Sequence, residues 1–590
     1  MPEYLAPGVY VEETSFRAPS IEGVGTSTAA FVGPTLTGPV PTRSTEQVDH
    51  MPPELLTSFG DFAAIYGGYG NLTLATNSAD PKNVNYLALS VKAFFDNGGS
   101  RLYVSRVFTP KAVNDAGRAG AVTPSDDRLA IAARFPGSGL NQSKVSISLA
   151  ANKTQNIGNL PPGSLLVDPD APDPADATKK KPAFYSNGGG GDFLKVGDPA
   201  TKLTGLPANL TLITLSVSLP SASGNTSVYE GLGLDANHPQ YIGTVLGPTP
   251  PRRIDVLENQ VAMLVGKNLN AATLFAELFP DWPTKTVAKE YVLAGGNDGA
   301  EPVNADYDTA LEALDGLEDI AIVAAPGSSA FAIADQVINT LITHVEKPRS
   351  YRVAILDTPA NCIASQVRDV RSKIDSSYAA LYTPWVITPN PLSRPGTAIA
   401  SEIAVPPSGF QAGIYARNDT QHSVAKAPAN EVVLGALRFE RNINFAEQGV
   451  LNPLGINCLR FFPGRGYRVW GARTASSNSE IKYVNVRRYL VYLEHSIDNG
   501  SQWAVFENNG SLLWARIKES VEEFLHNELR QGNLLGTTDA EAYFVRCDRS
   551  TMTQNDLDNG RLICLIGVAL LKPAEFVIFR IGQKTADARS

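Results

Sequence analysis

Apolar and polar residues alternate with a period of two over Gly8–Glu13, Lys144–Leu149 and Leu210–Leu219, while Leu513, Ile517, Val521 and Leu525 recur at steps of four. The first period places alternate side chains on opposite faces of a strand, and the second stacks them on one face of a helix. The pattern therefore predicts strands at Thr26–Val32 and Arg101–Val107, with a helix between them at Val84–Phe95 that ends at Asn97-Gly98-Gly99. Further along come strand Ile320–Ala324, helix Phe331–Val345, strand Tyr351–Leu356, a helical stretch near Val367 and strand Ala379–Ile387. Such alternation implies a βαβ layer. The last part contains one long helix, Ser511–Gln531, and a final strand, Glu575–Ile581.

With 590 residues the chain is too long for one core. The fold class is α+β multidomain. Residues 1–25 read as an extended arm, in which Pro2, Pro7 and Pro19 exclude helix and the alternating run calls for a partner sheet. Residues 26–120 and 290–427 form a central α/β domain, residues 121–289 an inserted β-rich outer domain, and residues 428–590 a C-terminal α+β domain with a terminal strand. The stretch Val167–Asp192, rich in Pro, Gly and Asp, reads as a solvated surface loop, with a binding element as the alternative.

Composition narrows the function. Charged residues are 18% and hydrophobic residues 43%, which suits large buried or self-associating surfaces. The formal charge of -9 opposes direct nucleic-acid binding, which needs clustered excess Lys and Arg. Cys362, Cys458, Cys547 and Cys564 show no C-x-x-C spacing, so neither a zinc site nor a disulfide framework is indicated, and a reducing cytoplasm is expected. The opening MPEYLAPGVYVEE lacks the basic start and apolar run of a secretory signal. No apolar run approaches the ~18 residues of a bilayer span, so no membrane insertion by this chain is expected.

A search for chemistry returns little. There is no G-x-x-x-x-G-K-[ST] loop to cradle phosphates, and Gly295-Gly296-Asn297-Asp298-Gly299 reads as a tight turn. Ser27 is one glycine short of a nucleophile elbow. The six histidines are scattered, and His495 beside Glu494 has no partner at metal-ligand spacing. Asp556 and Asp558 sit in a turn where acids are common. No catalysis, cofactor or metal is expected, and an α/β enzyme centred on Tyr291–Trp385 or a surface-layer or receptor-binding protein are the weaker readings.

The informative features are long Gly/Pro/aromatic/Arg strings. YLAPGVYVEE (Tyr4–Glu13), TSTAAFVG (Thr26–Gly33), SFGDFAAIYGG (Ser58–Gly68), LAGGNDG, YAALYTPW and VPPSGFQAGIYARND lead to KAPANE (Lys426–Glu431). LNPLGINCLRFFPGRGYRVWGART (Leu451–Thr474), YVNVRR (Tyr483–Arg488) and PAEFVIFRI (Pro573–Ile581) follow. In this order they resemble the tail sheath proteins of contractile phages and of phage-like extracellular contractile injection systems. Ala425, where a Trp is common, and Asn508, where a Pro is common, depart from that pattern.

The resemblance implies a helical homopolymer around an inner tube, with baseplate and tail-terminator proteins as further partners, assembled in the cytoplasm and triggered to contract. It implies that Val9, Tyr10, Val11, Glu12 and Glu13 at one end, and Phe576, Val577, Ile578 and Phe579 at the other, are strands lent to neighbouring subunits. Thr14, Ser15, Phe16 and Arg17 would belong to a tether running to Ser20, able to bridge about 23 to 25 Å at ~3.3 to 3.6 Å per residue. The charged face of the long helix, with Arg516, Lys518, Glu519, Glu522 and Glu523, is either solvated or, as the resemblance suggests, turned to the tube.

Overall fold

The structure is a computed structural model that describes residues 20–41, 51–77, 79–112, 115–154, 156–173, 175–187, 192–285 and 288–580. At its centre lies an eight-stranded sheet built from β1 (Ala29–Gly33), β2 (Leu55–Leu56), β3 (Leu102–Arg106), β4 (Ile322–Ala324), β5 (Val353–Asp357), β6 (Ala379–Thr383), β7 (Ile456–Phe462) and β8 (Gly466–Val469). The spatial order is β2-β3-β1-β4-β5-β6-β7-β8. The six inner strands run parallel and the two edge strands antiparallel.

Every residue of β1, β3, β4, β5 and β6 is buried, as a parallel sheet covered on both faces requires. The period of two then sorts the side chains into two cores. Ala29, Phe31, Ile322, Ala324, Ile355, Ala380 and Tyr382 pack on one face beneath α1 (Tyr86–Asp96) and α3 (Pro407–Gln421). Ala30, Val32, Val323, Ala354, Leu356, Ala379 and Leu381 pack on the other, against α2 (Ala334–Val345).

Two boundaries differ from the sequence expectation. The boundary expected at 427/428 falls inside this sheet, because Leu381–Thr383 pair in parallel with Ile456–Cys458, and Ala475 N–H still donates to Ala379 O at 2.7 Å. Hydrophobic pattern alone does not say which sheet a strand joins. The single strand expected over Ala379–Ile387 is two, Ala379–Thr383 and Val386–Pro389, lying in different sheets. Pro384 between them has no N–H to continue the ladder.

Between β3 and β4 the chain leaves the sheet for an excursion with its own core of Leu129, Ile131, Val145, Ile147, Ile213, Leu215 and Met263. Its entry and exit are joined, since Gly120 and Ala294 exchange both backbone hydrogen bonds at 2.8 and 3.0 Å. Two buried groups tie this root to the sheet. The Arg106 guanidinium donates to Thr35 O, Gly38 O and Pro136 O at 2.7–3.0 Å, and the Asp298 carboxylate accepts from the backbone and hydroxyl of both Thr73 and Ser138. Gly295 and Gly299, with φ of 83° and 88°, make the turn around Asp298 that the sequence suggests.

Within the excursion, the stretch read as a loop contains paired backbone. Ala183–Ser186 pair with Leu165–Asp168, and Pro172–Asp173 with Asp176–Lys180. The second pairing is a two-stranded ribbon with the polar composition of a loop, while the first belongs to a larger sheet in which Leu165, Leu166 and Val167 are buried, so composition along the stretch does not reveal its pairing.

Helices α1 and α3 approach closely through glycine. A Cβ on Gly409 would lie 2.6 Å from Ser90 Cβ, and one on Gly413 would lie 2.4 Å from the Phe94 carbonyl oxygen. Gly to Ala inside a helix ordinarily gains about 1 kcal/mol from propensity. Here the obstruction is backbone and cannot swing aside, so overpacking decides the sign. We predict that Gly413→Val lowers stability by about 1–3 kcal/mol in chemical denaturation, while substitution at exposed Gly316, where a Cβ meets nothing within 4 Å, has little effect.

Candidate functional site

Beyond residue 475 the chain folds on helices α4 (Val484–Ser501) and α5 (Ser511–Arg530). Leu513, Ile517, Val521 and Leu525, the residues at steps of four, are all buried and pack with Tyr489 and Leu493 of α4. Between the two helices the Glu528 carboxylate, 3% exposed, accepts from Tyr489 OH at 2.8 Å, Tyr492 OH at 2.9 Å and Asn533 Nδ2 at 2.8 Å. Against α5 lies a hairpin of β9 (Tyr543–Arg546) and β10 (Leu565–Val568), which among the described residues forms a sheet of these two strands alone. Its Phe544 and Leu565 are about half exposed. A two-stranded ribbon with unpaired edges is a template for further strands.

The described segment before β1 packs on α4. Ile21 is buried in the α4/α5 core, Val24 N–H donates to Ser496 Oγ at 3.1 Å, and a Cβ on Gly23 would strike the Tyr492 hydroxyl at 2.2 Å. Just beyond, Arg488 of α4 and Asp419 of α3 form an ion pair at 2.6 Å with side chains 3% and 5% exposed. Thr26 completes the joint, its carbonyl accepting from Arg488 at 3.0 Å and its hydroxyl donating to Asp419 at 2.6 Å. The guanidinium also lies 4.6 Å over the Tyr415 ring. Asp419 raises the Arg488 pKa against the opposing effect of burial, so the charge is retained inside the protein.

The C-terminal arm is rooted on the same domain. Leu570 bridges to Leu534, and Asn485 Nδ2 donates to Leu571 O at 3.1 Å. Glu575 then receives Arg473 at 2.6 and 2.9 Å, Asn452 at 2.6 Å and the Tyr483 hydroxyl at 3.0 Å. Burial raises the Glu575 pKa, but the hydrogen bonds and the charge of Arg473 outweigh it and hold the group below the usual glutamate range. Immediately afterwards Phe576, Val577, Ile578 and Phe579 are 72%, 68%, 78% and 84% exposed. A groove of about 760 Å³ runs along this tail and is floored by Ala425, Phe445, Trp470 and Pro573.

Of the residues singled out from the sequence, Val9, Tyr10, Val11, Glu12, Glu13 and the tether Thr14, Ser15, Phe16 and Arg17 lie outside the described residues. Among the described residues, the strand expected over Glu575–Ile581 has no ladder partner as far as residue 580, and a strand exists only with one. On α5, Arg516, Lys518, Glu519 and Glu523 are exposed and Glu522 half-buried, with Lys518 and Glu522 3.7 Å apart. Sequence reasoning missed the Arg488–Asp419–Thr26 joint and the Glu575–Arg473–Asn452–Tyr483 cluster. Each member lies in a quoted string, but Thr26 and Glu575 stand far in sequence from the residues they join.

Residues 300–475 match the family model described as phage tail sheath protein central domain, and residues 476–584 the model described as phage tail sheath C-terminal domain. The tail sheath protein of Vibrio phage KVP40 is 23% identical over 307 residues, 50% of this chain and 42% of that protein. The chain thus spans less than half the length of the curated relatives it matches. In fold it resembles the PVC sheath complex of an extracellular contractile injection system in the contracted state, with 18% identity, a TM-score of 0.52 and 99% of each chain covered. It likewise resembles the contracted helical sheath of the anti-feeding prophage, with 18% identity, a TM-score of 0.53 and 98% and 100% covered.

Two outcomes are expected of the roots. Asp419→Asn leaves Arg488 buried without its counter-charge and should cost about 3–5 kcal/mol in denaturant unfolding. Glu575 has a depressed folded pKa, so its hold on the tail is complete above the usual glutamate range and is lost as pH falls through the lower folded value. Protection factors across residues 570–580, with the intrinsic acid slowing of amide exchange divided out, should accordingly fall on going from about pH 5 towards 3, and Glu575→Gln should remove most of that dependence.

Proposed function

Because residues 300–584 belong to the phage tail sheath family, we propose that this chain is a structural subunit that polymerises helically around an inner tube and contracts to drive it through a target envelope. The observation that carries the reading is the run Phe576–Phe579, four apolar side chains held in solvent on a firmly anchored root. Leaving such a row exposed is unfavourable by roughly 25 cal/mol for each Å² of apolar surface. It is accounted for if the row completes a neighbour's sheet, with main-chain hydrogen bonds as the connection. The hairpin β9–β10, with free edges on the same domain, supplies the complementary half.

On this reading Val9–Glu13 is the second lent strand and Thr14–Ser20 its tether. A head-to-tail contact of this kind does not close on itself and so extends into a filament. The charged face of α5 is the candidate surface towards the inner tube, while the baseplate and terminator cap the two ends. The chain performs no catalysis. The work of contraction comes from contacts between globular bodies that form as they turn, while the arms keep them joined.

Removing residues 576–590, or residues 1–19 so as to spare buried Ile21, should leave a folded, soluble monomer by circular dichroism and sedimentation. Regular striated tubes from either truncation in the electron microscope would show that the lent strand is not what polymerises the chain. Inserting three flexible residues after Phe16 adds about 10 Å of reach at ~3.3 to 3.6 Å each. Such sheaths should assemble and then stay extended when treated with mild acid or denaturant, since slack uncouples neighbours.

A further inference from the structure

The hairpin β9–β10 brings together two cysteines that lie 17 positions apart in sequence. Tyr543 pairs with Val568 and Arg546 with Leu565, so one further step in the same register sets Cys547 opposite Cys564. The two side chains are close enough for each to affect the other's ionisation. Cys547 is 5% exposed, and Cys564 is half-buried and packed on the α4/α5 core. Facing residues of antiparallel strands have Cα atoms about 4.5–5.5 Å apart. That spacing falls within the roughly 4.4–6.8 Å that a disulfide bridges without backbone movement.

We propose that Cys547 and Cys564 are a disulfide-forming pair, oxidised by small-molecule disulfides once the protein is in an oxidising medium. The thiolate of Cys564, the more accessible of the two, attacks one sulfur of the reagent, forms a mixed disulfide and expels one small thiolate. Cys547 then attacks Cys564 Sγ, closing the bridge and expelling the second. The two cysteine sulfurs give up two electrons, the reagent's two sulfurs take them, and the two protons end on the released thiols.

Several neighbours oppose ionisation and make the reaction slow. Burial pushes the Cys564 thiol up to about 12, with Cys547 and Glu522 of α5 adding to the effect. Burial and Asp548 likewise raise Cys547, partly offset by the Cys564 side chain. The cations in this neighbourhood, Lys518 and Arg546, act on Asp548, and Lys518 also stands 3.7 Å from Glu522. Since the thiolate is the attacking species, the rate should climb about tenfold per pH unit through mild alkali. The bridge encloses residues 548–563, turning the far end of the hairpin into a ring and fixing its register whatever strand docks on the edges.

The full-length chain is incubated with glutathione disulfide at about pH 8.5 and its thiols are then counted under denaturing conditions. Free thiols should fall from four to two. Trypsin without reductant should yield a species joining Cys547–Arg549 to the peptide that begins at Leu562, lighter by two hydrogens than the separate peptides. Cys458 and Cys362 should remain free. Cys547→Ser and Cys564→Ser, each close in size to the original, should each abolish the linked species. Four thiols remaining, a glutathione adduct that never resolves, or a bridge between chains would each overturn the proposal.

Discussion

The buried pair Arg488–Asp419 is the contact on which the architecture turns. It joins α4 of the C-terminal domain to α3 on the central sheet, and through Thr26 it takes in the chain just before the first strand. Three segments, one of them some 400 residues before the other two, meet at one charge pair, and removing either partner would leave the other desolvated and unpaired. Such pairs contribute little net stability compared with apolar packing of the same shape, but they tolerate few alternative arrangements. We regard this joint as what holds α4 and α5 on the sheet, so that the described ends of the chain leave from a fixed platform.

That platform explains an apparent contradiction in the C-terminal tail. Residues 571–575 are held by Asn485, Asn452, Arg473 and Tyr483, whereas the four apolar residues that follow face water. A strand that must find a partner gains from a fixed starting point, because less conformational freedom is lost on docking. A rigid root and an exposed apolar tip therefore suit the strand-lending role proposed above, with β9–β10 as the proposed acceptor.

How much of this was legible depends on range. Elements set by local periodicity were readable, as with α5, where residues at steps of four form the buried face, and the central strands, whose uninterrupted apolar runs mark burial on both faces. Membership was not readable. That Ile456–Phe462 completes the central sheet depends on a parallel pairing with Ala379–Thr383 across more than seventy residues, and parallel pairing leaves no turn signature. The quoted strings named the right residues without their partners: Arg473 and Glu575 stand in two different strings, and only the fold shows that one holds the other. The Cys547/Cys564 juxtaposition was hidden for a similar reason, since spacing rules consider sequence neighbours and a hairpin makes its own.

The excursion between β3 and β4 has a consequence of a different kind. Its entry and exit, Gly120 and Ala294, are hydrogen-bonded to each other, so a body of some 170 residues leaves and rejoins the sheet at one stem, and it packs back on the frame through Gln260 on the Ala64 and Ile65 carbonyls and Arg253 on Glu54. Seen from the frame it occupies the place of a short turn. A foreign domain with adjacent termini grafted at the same stem would reroute no strand of the sheet, but it would uncover Met51 and the end of the helix at Phe59–Tyr66, which the excursion now covers.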